Sequence, residues 1–365
     1  MVLRVSDYST AVSAGQVLIA GFEGLTVPRA IMDAIGAAKL GGLILFKRNI
    51  ESPKQVHALI HACQAHAPPD FPLLVSVDQE GGRVNRLNAP VLQLPPMRQF
   101  GLWDDLDFTQ RAAFALSTQL RMLGFTMNYA PVLDVNTNPA NPVIGDRAFG
   151  NNVEIVVRHA NAFAEGAKKG AMLTCGKHFP GHGDTLLDSH LALPRVTDSV
   201  ERLKTRELVP FRRLAQKLDA IMSAHILYPA IDTENPATLS CDILQSLLRG
   251  FCGFGGCVIS DDLEMKAITL NYGIPEAASR AILAGCDALL IGRNTGVLEA
   301  TRSHLEMRAH SDPLFATRLK DAAGRFLDLR RSVETTANQD FLEDQLQTPA
   351  VIAVQDALEA RLLSS

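Results

Sequence analysis

The stretch C257-V-I-S-D-D-L-E-M265 sets a short apolar, β-branched run directly against two carboxylates. A run this short, with no polar alternation, reads as a strand buried on both faces, the habit of parallel sheets. Working outward, the same unit recurs as QVLIAG (16–21), GLILF (42–46), LLVSV (73–77), TMNYA (126–130), MLTCG (172–176), AIMSA (220–224) and ALLI (288–291), eight in all. Amphipathic segments lie between them at 53–67, 108–124, 153–169, 198–217, 241–249 and 275–285. Several open on a cap or a first-turn proline: Ser52-Pro53, Asp198 and Ile274-Pro275.

Repeated βα units predict an α/β fold with a parallel sheet. Eight of them, ending by residue 291, suit a single (β/α)8 TIM-type barrel, with a doubly wound open sheet as the alternative. The polar residues favour the barrel. Asp78 follows the third run, Lys177 and His178 the fifth, His225 the sixth, Asp261 and Asp262 the seventh, and Arg293 the eighth. Barrel enzymes work at the C-terminal ends of their strands, where the βα loops converge. The expected organisation is a catalytic barrel over 1–312 and a helical extension, 313–365, packed on it. That extension is too short for a second catalytic domain of ordinary size.

The 365 residues are 47% hydrophobic and 20% charged, enough for a large core. A net charge of −4 argues against a general nucleic-acid binder, which needs a basic surface. Cys63, Cys175, Cys241, Cys252, Cys257 and Cys286 are scattered without a CxxC pair, and most of them read as buried reduced thiols. No run is long enough to span a bilayer, and the N-terminus lacks a cationic start followed by an apolar signal-length run. These features predict a cytoplasmic protein.

Four segments carry chemistry. In V77-D-Q-E-G-G-R-V-N-R-L87, two glycines after carboxylates allow a tight turn beside a ligand, with Asp78, Arg83 and Arg86 able to bind hydroxyls or a carboxylate. A surface loop with a structural ion pair is the plainer reading. The Asn/Pro-rich loop from Asn128 to Gly150 offers Arg147 as a ligand contact, while Asp134 and Asn136 serve equally well as turn caps. The loop G176-K-H-F-P-G-H-G-D-T-L-L-D-S-H190 is the most unusual segment. It suits a metal site on His178, His182, Asp184 and His190, an acid/base pair of Asp188 and His190, or histidines that merely cap backbone groups. In the Asp261-Asp262 pair, strand alternation turns only one side chain into the barrel mouth, leaving the other to serve a loop or a neighbouring helix, with helix capping by both as the plainer reading.

Together these segments resemble glycoside hydrolase family 3, in its bacterial β-N-acetylglucosaminidase branch, from about Gly15 to Arg293. The most specific element is K-H-F-P-G-H-G, four residues, then D-S-H, matched at 177–190. D-Q-E-G-G-R-V (78–84), G-D-R-x-F-G (145–150) and S-D-D-L-x-M (260–265) add to it. The resemblance implies that Asp261 is the nucleophile with Asp262 in support, and that His190 is the general acid/base with Asp188 as partner. It puts sugar binding on Asp78, Arg86, Arg147, Lys177 and His178. Asn85 departs from the family, where Gln is common, and the C-terminal extension has no family role to carry over.

The implied activity is retaining exo-β-N-acetylglucosaminidase chemistry on cell-wall fragments such as N-acetylglucosamine linked to anhydro-N-acetylmuramic acid. No cofactor and no metal are expected. Phosphate as acceptor, a metal-dependent barrel hydrolase and a non-catalytic sugar binder are the competing readings.

Overall fold

The computed structural model describes residues 9–189, 191–334, 341 and 343–363. The strands are β1 (Leu18–Ala20), β2 (Gly42–Leu45), β3 (Leu74–Val77), β4 (Met127–Asn128), β5 (Leu173–Phe179), β6 (Ala220–Ser223), β7 (Cys257–Ser260) and β8 (Leu289–Ile291). They are parallel and ordered β7-β6-β5-β4-β3-β2-β1-β8. β7 and β8 then meet, with Ile259 bridging to Ala288 and Ser260 N donating to Ala288 O at 2.9 Å, which rounds the sheet into a (β/α)8 barrel.

Strand alternation divides the core. Ile19, Ile44, Leu74, Met127, Cys175, Met222, Ile259 and Leu290 fill the barrel interior. Their neighbours Leu18, Leu43, Val75, Ile221, Val258 and Leu289 face the helical layer instead. The floor comes from the helix Pro313–Arg331, whose Phe326 joins the interior cluster. One turn on, the buried Arg330 reaches the N-terminal ends of the strands. It donates to Gly41 O, Pro72 O and Gln16 Oε1 at 2.9, 3.1 and 2.7 Å.

The eight runs read as strands all form strands, and most of the amphipathic segments form helices, such as Pro53–His66 and Val153–Lys169. Ser52 caps the first of these with Pro53 behind it. Three details differ. The helical stretch expected over 198–217 is broken into Val200–Thr205 and Leu208–Leu214, and its cap is Ser199. Asp198 instead pairs with Arg206 at 2.6 Å. Lys177 and His178 lie inside β5, not after it. No helix among the described residues is long and apolar enough to cross a membrane.

Candidate active site

The βα loops enclose a cavity of about 650 Å³ at the C-terminal ends of the strands. Its wall includes Asp78, Arg86, Arg147, Lys177, His178, Asp188 and Asp261. Of the sequence-predicted site residues, only His190 goes unplaced, because it lies outside the described residues.

The loop after β3 supplies the first carboxylates. Gly81 and Gly82 have φ of 120° and 55°, and a Cβ on Gly82 would sit 2.7 Å from Pro96. Only glycine takes that turn without strain. The turn lets Asp78 and Glu80 meet Lys177 from β5, whose Nζ lies 2.6 Å from Asp78 Oδ1 and 2.6 Å from Glu80 Oε1. Glu80 also binds the Arg147 guanidinium at both oxygens, at 2.9 and 2.8 Å. Burial alone would raise the Glu80 carboxyl, but Arg147 and Lys177 overcome it and hold the group far below its ordinary range. Burial opposes the charge on Lys177 as well, and Asp78 and Glu80 raise its pKa nonetheless. Glu80 and Lys177 therefore both stay ionised.

Arg86 reaches Asp78 Oδ2 at 3.5 Å and lies 5.7 Å above the Phe46 ring. Its Nε is buried with no hydrogen-bond partner among the described residues. A buried donor of that kind suits a ligand acceptor, because leaving it unmet is costly. Arg83 also lines the cavity, but its guanidinium is engaged: it pairs with Asp146 at 3.0 Å and donates to Val143 O at 2.6 Å, pinning the loop that carries Arg147.

Asp134 is fully buried and organises the start of the β5 loop. Its Oδ2 lies 2.7 Å from His178 Nδ1, and its Oδ1 accepts the backbone N–H of His182 at 2.6 Å. His178 is thereby presented to the cavity through Nε2, which lies 3.5 Å from Arg147 Nη2. His182 Nδ1 and Nε2 are taken by Thr185 and Ser189, at 2.8 and 3.0 Å. Asp184 is held by Thr137 and Arg206 at 3.0 and 3.5 Å. Each described member of the proposed metal set thus already has protein partners. Among the described residues no group of three or more His, Cys, Asp and Glu side chains is arranged to hold a metal ion.

At the end of β7 the two carboxylates divide their tasks. Asp262 Oδ1 accepts the N–H groups of Glu264 and Gly292, both at 3.0 Å, and so ties the β7 loop to β8. Burial raises the Asp262 carboxyl to about 6, with Glu264 and Asp261 adding repulsion. Asp261 Oδ1 accepts the Asp262 N–H at 2.8 Å, which orients its carboxylate on the cavity wall. His225 lies behind this strand, 3.1 Å from Asp262 O and 2.8 Å from Thr238 Oγ1. Arg293 reaches the cavity rim and pairs with Glu23 at 2.6 Å.

Sequence reading passed over Glu80 and left Asp134 open between a ligand and a cap. Each is the buried anion on which the cavity cations or histidines are hung.

Comparison with known proteins agrees with this geometry. Residues 13–329 match the glycosyl hydrolase family 3 N terminal domain. A β-hexosaminidase of Alkalilimnicola ehrlichii is 39% identical over 315 residues, covering 84% of this chain and 88% of its own. A family 3 β-N-acetylglucosaminidase from Paenibacillus superposes with a TM-score of 0.92 at 38% identity, over 97% of this chain and 69% of that one. NagZ from Neisseria gonorrhoeae, solved with N-trifluoroacetyl-D-glucosamine, superposes with a TM-score of 0.80 at 32% identity, over 94% and 97%. The chain belongs to glycosyl hydrolase family 3, a glycosidase grouped with the β-hexosaminidases of that family.

Proposed function

We propose that the chain is a retaining exo-β-N-acetylglucosaminidase that works through a covalent glycosyl ester on Asp261. The observation that carries this reading is the sharing of one cavity by Asp261, Asp188 and the Asp78–Lys177–Arg147 cluster. The cluster offers fixed donors and acceptors to a terminal sugar, and Asp78, Arg86, Arg147, Lys177 and His178 take the hydroxyls. Asp261 attacks the anomeric carbon as the bond to the leaving oxygen breaks, and that oxygen takes a proton from His190. Water then gives its proton to His190, attacks the same carbon and releases Asp261. An imidazole, with an ordinary pKa near 6.5, suits both transfers at neutral pH. Asp188 stabilises the imidazolium that the first step needs.

The residues call for no cofactor and no metal. In this reading 1–312 form the catalytic barrel and 313–365 a helical extension that supports it. The substrates are muropeptide fragments bearing N-acetylglucosamine on anhydro-N-acetylmuramic acid, met in the cytoplasm during cell-wall recycling. The test is a chromogenic N-acetylglucosaminide beside the matching glucoside, with products identified in the presence and absence of phosphate. A higher kcat/KM for the acetamido sugar, with free N-acetylglucosamine released in phosphate buffer, is expected. Equal rates on the glucoside, or a sugar phosphate as product, would displace this reading.

A further inference from the structure

The loop after β5 is held in two halves by different means. The first half is stitched to the loop after β4. Asn141 Nδ2 donates to His182 O at 2.8 Å and to Thr185 Oγ1 at 3.2 Å. Gly183 passes so close to that loop that a Cβ would lie 1.8 Å from Val135 O. The second half leaves Leu186, Leu187 and Leu191 exposed and puts Asp188 and Ser189 on the cavity wall. Ser189, itself buried, is tied at both ends: its carbonyl accepts Ala267 N at 3.2 Å, and its hydroxyl lies 3.0 Å from His182 Nε2.

The direction of these hydrogen bonds follows from the donors available. The Thr185 hydroxyl donates to His182 O at 3.1 Å, so its oxygen accepts the Nδ1–H of His182 at 2.8 Å. That sets the tautomer and leaves a lone pair on Nε2 for the Ser189 O–H. Burial, with His178 adding to it, pushes the His182 ring down to about 4, so it stays a neutral acceptor in the neutral range.

We propose that His182 is a positioning residue, holding the Asp188–Ser189 arm against the cavity through the Ser189 hydroxyl and so setting the acid/base dyad for proton transfer. The proposal rests on the reading of Asp188 and His190 as that dyad. A displaced proton donor matters most where the leaving group is poor, and misplacement from outside the reacting groups can cost about 10²-fold.

The experiment uses the full-length enzyme and a series of aryl N-acetylglucosaminides running from nitrophenyl to phenyl, with the N-acetylglucosamine disaccharide as natural-type substrate. Ser189→Ala is expected to lose about 10- to 100-fold in kcat on the disaccharide and little on the nitrophenyl sugar, with KM and melting temperature near wild type. Ser189→Thr, which keeps the hydroxyl, should restore the disaccharide rate. His182→Gln should follow Ser189→Ala, and Ser189→Ala serves alone if that variant does not fold. His190→Ala is run beside them. If His190→Ala is steep across the series and Ser189→Ala is flat, this inference fails and the dyad stands. If His190→Ala is itself flat, the dyad falls and this inference falls with it.

Discussion

The Glu80 carboxylate receives Arg147 side-on, with Nε 2.9 Å from Oε2 and Nη2 2.8 Å from Oε1, on the wall of the cavity. The same Oε1 lies 2.6 Å from Lys177 Nζ. One buried anion thus sets the positions of two cations, one from strand β5 and one from the loop after β4. Pairs of this kind add little net stability over an apolar core, yet breaking one strands a buried charge. Their value in the proposed reading is the geometry they impose on the groups assigned to the sugar.

Glu80→Gln should therefore weaken both folding and binding. Removing one partner of a buried pair costs on the order of 3 kcal/mol, and KM should rise more than kcat falls. The pH dependence follows from the sign of the shift. Glu80 is held below its ordinary value near 4.3, so its contribution is present above that pH and is lost as pH falls through the lowered value. The stability gap between wild type and Glu80→Gln should shrink as pH drops below about 4. Urea midpoints at pH 7, 4 and 3 measure it, and a gap that stays constant would contradict the assignment.

Much of this was legible in the sequence, and the limits are physical. Parallel strands buried on both faces show as bare apolar runs, so the barrel can be read from them. Asp78, Lys177 and Asp261 stand out because polar residues at the ends of such runs have few other places to go. Glu80 was quoted in its motif yet not singled out, because its partner Arg147 is 67 positions away and no periodicity links them. Asp134 reads alike as a turn cap or a site anion until His178 is seen 2.7 Å from it. Lys177 and His178 extend β5 because Val132 and Leu133 pair with Lys177, a contact set by the neighbouring loop.

Asp262 should respond to pH in the opposite sense from Glu80. Its carboxyl is raised to about 6 against an ordinary value near 3.9, so the fold favours its protonated form. The stabilising contribution is present below about 3.9 and is lost as pH rises through about 6. Asp262→Asn keeps an Oδ1 acceptor for Glu264 N and Gly292 N and carries no charge. It should flatten the stability decline between these pH values and be at least as stable as wild type at pH 7, by on the order of 1–2 kcal/mol. Thermal melts across that range provide the measurement. A variant that tracks the wild-type pH profile would remove burial of this charge as an explanation.

Covalent modification should fall on Asp261 alone. A slow fluorinated N-acetylglucosamine analogue is expected to add its sugar mass to the peptide holding Ser260–Met265, at the first carboxylate. Asp261→Asn should be inactive on good and poor leaving groups alike, since bond formation to carbon is needed for both. Inverted product stereochemistry, or a label on Asp262, would refute the nucleophile.

The acid/base assignment predicts a different pattern, because only one step needs the proton badly. An aryl leaving group such as nitrophenolate departs with little help, whereas a sugar alkoxide does not. His190→Ala should lose far more activity on a disaccharide than on a nitrophenyl glycoside, and general acid/base help of about 10²–10⁴-fold sets the size of that gap. Asp188 lines the same cavity and is proposed to support the imidazolium, so Asp188→Asn should weaken the same transfer. Since both residues serve one proton, the double variant should be little worse than His190→Ala. Azide, a nucleophile that needs no general base, should restore the second step in His190→Ala when an activated substrate is used. If the His190→Ala loss is equal on both leaving groups and the Asp188→Asn loss simply multiplies with it, the two do not share a proton. His190 would then be a binding residue, and the donor would have to come from another group on the cavity wall.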